Sequence, residues 1–247
     1  MEQSLDVLVV TALSLAVFHT VIGPDHYLPF IVLGRSEGWS LRRMLLWTTL
    51  CGLGHVLSSV LIGAVGIAVG WSLSSMEGFE TWRGEIASTG LMVFGGLYMI
   101  YGLIQARRGH VHRHFHPDGE VHDHVHGHAH VHEHEHGHEH AHDHGLEEDH
   151  TRSHRRTLWV IFIIFVLGPC EPLIPLLMVP AAEHSAAGVA LVASVFSVAT
   201  ILTMLVIATA GHLGLKVIRF GAWEKYVHVL SGGAILASGL TIELLGL

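Results

Sequence analysis

A chain of 247 residues that is half hydrophobic, only 14% charged and of mean hydropathy +0.49 has the composition of a membrane protein rather than a soluble globular domain. Its formal net charge of −8 says little about partners, because most acidic residues lie in one polar segment or at helix ends. Two cysteines exclude a disulfide framework, and no nucleic-acid partner is expected.

The opening MEQSLD carries no positive stretch and no small-residue cleavage site follows, so the first apolar run is expected to remain as a span. Runs long enough for a bilayer, about 20 residues each, lie near 5–34, 43–71, 87–106, 157–181, 186–215 and 226–246, predicting an all-α membrane protein of six helices. The chain divides into a three-helix segment, 1–106, a polar loop, 107–156, and a second three-helix segment, 157–247.

Near the end of the first run, HTVIGPDHYLP (19–29) places His19, Asp25 and His26 among two prolines where hydrocarbon is expected. An aspartate at the bilayer centre costs roughly 2.5–3.5 kcal/mol on insertion scales, so something must compensate it. Gly-Pro removes a ladder donor and clashes with the preceding turn, which predicts a broken helix. For Asp25 and His26 two arrangements stay open: both touch a metal, or the carboxylate locks the imidazole tautomer.

The second run carries LGHVLSS, with Ser58 and Ser59 on the same side as His55 and Cys51 one turn away. Alone, His55 fits a helix–helix hydrogen bond; beside His19, Asp25 and His26 it fits a metal ligand. Glycines 63, 66 and 70 here, and 232 and 233 in the last run, suit close helix contact.

The polar loop holds 18 of the 24 histidines. They alternate strictly at His122, His124, His126, His128, His130, His132, His134, His136, His138, His140, His142 and His144. The interleaved Asp, Glu, Gly and Ala give no apolar face to bury, so a disordered loop is expected. Many neutral imidazoles on such a chain make labile, overlapping sites that collect or buffer metal.

The fourth run contains GPCEPLIPLLMVP (168–180), with Cys170 and Glu171. Cys170 reads either as a soft ligand or as a small buried hydrophobe. Glu171 needs a partner in a membrane, whether metal, proton or backbone. Six of the seven prolines fall in this motif and in GPDHYLP, each in the first helix of a three-helix half. A three-span repeat inverts its second copy, the arrangement in which transporters set broken helices near the midplane. Thr200 and Thr203 in the fifth run add polar groups nearby. Imidazole, carboxylate and thiolate together suit nickel, cobalt or zinc and argue against a dedicated magnesium or calcium site.

Lysine and arginine set the expected orientation. Twelve of the 13 basic residues follow the first, third and fifth runs, and Arg83 alone lies on the opposite side. The positive-inside rule puts those loops in the cytoplasm and both termini outside, in a multi-pass protein of the cell (inner) membrane. Trp39, Trp71, Trp82, Trp159 and Trp223 fall where interfacial aromatics belong.

HTVIGPDH followed by LGHVLSS resembles the nickel/cobalt transporter superfamily, whose first helix carries His-x4-Asp-His and whose second carries a Leu-Gly-His-Ser type motif. The spacing here is His-x5-Asp-His, one residue longer. GPCEPLIPLL resembles the Pro-Cys-Pro motif of the related NicO group, which includes RcnA-like nickel/cobalt exporters with their own His-rich loop. The exporter signature His-Ala-Leu-x-Pro-Gly-His-Gly-Lys differs from this chain at Asp25 and after Tyr27. The two proline motifs predict two inverted three-helix repeats with helices one and four broken at Gly-Pro, and the resemblance implies metal handling by His19, Asp25, His26 and His55. It also implies Ni²⁺ or Co²⁺ as cargo, with Zn²⁺ admitted, and no prosthetic group.

Expected partners are the bilayer, divalent metal ions, and either further copies of the chain or an accessory metal-handling protein. Four readings compete: an efflux transporter, an uptake permease, an accessory protein that delivers metal, and a thiol–electron shuttle of the CcdA/DsbD kind. The shuttle needs an exchanging cysteine pair, for which only Cys51 and Cys170 are available. An intramembrane metalloprotease would need His-Glu-x-x-His, and a nucleotide-driven pump a GxxxxGK[ST] loop; the chain contains neither. A non-enzymatic protein is expected.

Overall fold

The computed structural model describes residues 2–107, 111–115, 121–125, 157–183, 185–217 and 221–245. Helix α1 (Glu2–Ile22) stops at Gly23, since Pro24 has no N–H to continue the ladder. A 3-10 turn over Pro24–His26 follows, and α2 (Leu28–Ser36) restarts with Pro29 in its first turn, where the missing donor costs nothing. Helix α3 (Leu41–Val69) is opened by Ser40, whose hydroxyl accepts from the Arg43 N–H at 3.3 Å. It is closed by Gly70 in the left-handed conformation, φ 75°. Helix α4 (Leu73–Arg107) precedes a short antiparallel pair, β1 (Val111–Phe115) and β2 (Val121–Val125). Then come α5 (Thr157–Leu167), α6 (Leu173–Ala182), α7 (Ala186–Val217), a 3-10 turn over Gly221–Tyr226, and α8 (Val227–Leu245).

Among the described residues five helices are long and apolar enough to cross a membrane: Leu5–Ile22, Leu41–Val69, Leu73–Arg107, Ala186–Val217 and Trp223–Leu244. The fourth run, expected to break at Gly168-Pro169, forms two shorter apolar helices, α5 and α6, separated at residues 168–172. The first run is likewise split at Gly23 into α1 and α2. Large apolar side chains stand exposed along whole helices, as with Leu46, Leu50, Leu53, Leu57 and Leu61 on α3. Exposed apolar surface on that scale is what hydrocarbon covers, and the chain is a multi-pass membrane protein.

The opposite face of α3 turns inward with Met44, Thr48, Cys51, His55, Ser59 and Gly63. Helix α7 buries Val192, Phe196, Thr200, Met204, Ala208 and His212, an unbroken i, i+4 row that packs on α1 and α3. The tightest pairing is α4 on α8, where Gly95, Gly102 and Gly232 bring the two backbones together. A Cβ on Gly233, expected to share that role, would meet no facing side chain nearer than the Met99 sulfur at 3.9 Å.

Three expectations are corrected. Helix α4 begins at Leu73 rather than near 87, so Arg83 lies inside the helix, buried, and not in an outer loop. Trp39 is buried and lies under the Arg43 guanidinium, while Trp71, Trp82, Trp159 and Trp223 are exposed. Residues 111–125 include two paired strands where disorder is expected, with His112 opposite His124 and His114 opposite His122. Val111, Phe115, Val121 and Val125, at the strand ends, supply the strand propensity. The expected disordered, metal-buffering stretch from His126 to His144 lies outside the described residues.

Candidate metal centre

The break at Gly23 brings His26 back over the end of α1, and its ring centroid lies 4.7 Å from that of His19. His55 reaches the same place from α3, 5.0 Å from His26. Both ring pairs are edge-to-face, so the three imidazoles converge without stacking. A side chain at position 23 would displace these groups: a Cβ there would sit 2.7 Å from the His26 Nδ1 and 2.8 Å from an Asp25 oxygen.

The ring nitrogens divide by role. His26 Nδ1 lies 3.1 Å from the Gly23 carbonyl and 3.2 Å from Asp25 Oδ1, and an ionised carboxylate and a carbonyl only accept. Nδ1 therefore carries the proton. His55 Nδ1 likewise faces the Phe165 carbonyl at 3.3 Å, an assignment made from the acceptor present. Both rings then present an unprotonated Nε2. Nε2 of His19, His26 and His55 are all buried and without a hydrogen-bond partner. A buried polar nitrogen left unpaired costs about 1–3 kcal/mol, and three in one spot call for something that binds them.

One ring nitrogen from each histidine lies within 4.8 Å of the others. Nitrogens bound tetrahedrally at 2.0–2.1 Å would stand about 3.3 Å apart, so small ring rotations suffice to close the set on an ion. Among the described residues no other group of His, Cys, Asp and Glu meets in this way. The three histidines line a cavity of about 180 Å³, and Asp25, Gly168 and Pro169 share its wall.

The other expected site residues are placed as follows. Asp25 is at the cavity but hydrogen-bonds His26, as a carboxylate does when it orients a ligating imidazole. Cys170 is fully buried in an apolar cluster with Ala12, Ala16 and Leu173. Glu171 is exposed and lines a separate cavity of about 460 Å³ with Glu77 and Glu80. The neighbours diverge because the turn at 168–172 sends one inward and the next outward. Ser58 and Ser59 bind Arg83 and Glu80, Thr203 returns to the Ala199 carbonyl, and the Thr200 hydroxyl is buried without a partner.

Two features escape a reading of the sequence alone. His212 is buried on α7 with its Nε2 unpaired, its ring 3.2 Å from where a Cβ on Gly34 would stand. Glu80 and Arg83 form a buried ion pair one helical turn apart on α4. Their i, i+3 spacing was the available signal, masked by the expectation that Arg83 lies in a loop.

If Asp25 acts through His26, Asp25→Asn should weaken metal binding about tenfold to a hundredfold without abolishing it. Titration of the purified protein with Co²⁺ checks this, and a complete loss equal to that of His26→Ala would make Asp25 a direct ligand. No family model, curated protein or solved structure matches the chain.

Proposed function

We propose that the chain is a secondary membrane transporter of divalent first-row transition metal ions, chiefly nickel or cobalt, working in the export direction. The observation that carries this is the convergence of three unpaired, buried Nε2 atoms at a helix break in a membrane protein. A set of neutral imidazoles suits nickel, cobalt and zinc better than magnesium or calcium. Transporters of inverted-repeat design place their sites at broken helices, and both Gly-Pro breaks border the same cavity here. On this reading residues 1–106 and 157–247 are the two halves, and rocking between them alternates access. The basic connections and the His-rich loop face the cytoplasm, where the loop gathers cargo.

The thiol-shuttle alternative is disfavoured by the two cysteines, which are unpaired and belong to different core clusters. Reconstitution in vesicles with a metal-sensitive dye inside provides the test. Ni²⁺ and Co²⁺ should cross faster than in protein-free vesicles, Mg²⁺ should not, and equal fluxes for all three would defeat the proposal.

The His-rich loop gives a separate expectation. Deleting residues 117–149 should leave a basal flux intact and sharply reduce the number of ions bound per chain. Free imidazoles have pKa values near 6.5 and bind only when neutral. Loop-bound metal should therefore be released as pH falls through about 6, which equilibrium dialysis across pH 5–8 would register. Loss of flux at every metal concentration after the deletion would put the loop in the path itself.

A further inference from the structure

We propose that Arg83, held by Glu80, is a positioning residue of the metal centre: it fixes His55 and the second helix break in one arrangement. The inference rests on the metal-centre reading above.

The guanidinium donates to three backbone or side-chain oxygens from one nitrogen: Ser58 Oγ at 2.7 Å, the Val166 carbonyl at 2.8 Å and the Gly168 carbonyl at 3.3 Å. Its other terminal nitrogen meets Ser59 Oγ at 3.4 Å and the Glu80 carboxylate. The Ser58 hydroxyl itself donates to the His55 carbonyl at 2.8 Å. The His55 imidazole in turn donates to the Phe165 carbonyl, immediately before the Val166 carbonyl that Arg83 holds. The connections close a circuit: His55, the end of α5, Arg83, Ser58, and back to His55. A ring that must present Nε2 to an ion is thereby held at its backbone and at Nδ1.

Glu80 completes the device from the other side. Its Oε2 accepts from the Cys170 N–H at 3.1 Å and from Ser59 Oγ at 3.2 Å. The pair thus serves the Val166 and Gly168 carbonyls before Pro169 and the Cys170 N–H after it. Backbone groups opened inside a membrane must find partners within the protein, and here α4 provides them. The fit is close: a Cβ on Gly84 would stand 3.0 Å from Pro169, and one on Gly168 would stand 3.2 Å from His55 Nδ1. A buried ion pair is costly to desolvate and apolar side chains fill space as well. Its presence is explained by the oxygens it gathers, and arginine's planar fork reaches several at once where lysine offers a compact point charge.

Neither Arg83 nor Glu80 belongs to the histidine cluster. Their effect on metal must therefore pass through His55, and the test has to read ligand geometry. The full chain in detergent is titrated with Co²⁺ alone, and its ligand-field absorption is taken as the difference from His55→Ala, which carries the same histidine loop. Arg83→Lys should bind about tenfold to a hundredfold more weakly than the parent, with shifted and weakened bands. Glu80→Gln/Arg83→Met removes both charges together, leaves no unpaired buried ion, and should show the same change. Ser58→Ala keeps the ion pair and cuts one of the two arms that join Arg83 to His55, so it should move the bands even where the Arg83 variants fail to fold. Parental affinity and bands in every variant that elutes as the parent does would overturn the inference. Absence of a Co²⁺ difference signal between the parent and His55→Ala would instead strike the metal-centre reading and remove the ground for this one.

Discussion

Replacing His26 or His55 by alanine is expected to abolish saturable Ni²⁺ or Co²⁺ flux while leaving the protein in the membrane at the parental level. Each substitution removes one of three converging nitrogens, and two imidazoles cannot hold an ion against water as three do. Folding should be spared for a specific reason. In the metal-free protein the Nε2 atoms are unpaired, so alanine deletes a cost along with the Nδ1 hydrogen bond and the ring's packing. Thermal unfolding separates the two contributions. A ligand at a hundred times its Kd stabilises the folded state by about 2.7 kcal/mol, so added Co²⁺ should raise the Tm of the parent. That increment should vanish in both variants. Parental flux and an undiminished increment in either variant would mean that the three rings are packing residues.

The histidines were legible because an imidazole in an apolar run is expensive and three of them needed a common reason. What each carboxylate does was not legible. Asp25 can reach His26, its sequence neighbour, only because the 3-10 turn over Pro24–His26 curls the backbone, and residue spacing does not encode that. Cys170 and Glu171 share one motif yet go to an apolar cluster and to an exposed acidic cavity. The direction of a side chain at a broken helix depends on the turn, and hydropathy averages across it. The same averaging started the third helix too late. Glu77, Glu80, Arg83 and Glu85 depress the apolar signal over a stretch that is helical from Leu73. The pair that satisfies the second break was thereby hidden.

Gly232→Leu should be the most damaging substitution far from the metal centre. A Cβ at position 232 would lie 2.3 Å from the Met99 nitrogen and 2.7 Å from the Gly95 carbonyl oxygen, and one at Gly95 would lie 2.4 Å from the Leu236 nitrogen. These neighbours are backbone atoms of a facing helix, so no rotamer change makes room and α4 must move off α8. Within lipid no hydrophobic force presses helices together; packing at small residues does. Overpacking a well-fitted core costs about 1–3 kcal/mol, occasionally more, and backbone-to-backbone contact belongs at the upper end. The displacement also reaches function, because α4 carries Gly84 against Pro169 and Arg83 against the second break. Gly233→Leu is the control: it sits on the same helix, yet its Cβ would meet only the Met99 sulfur at 3.9 Å. Gly232→Leu should lower the Tm by many degrees and eliminate flux, while Gly233→Leu keeps both near the parent. Equal Tm values for the two variants in detergent would show that α4 and α8 do not meet along this seam.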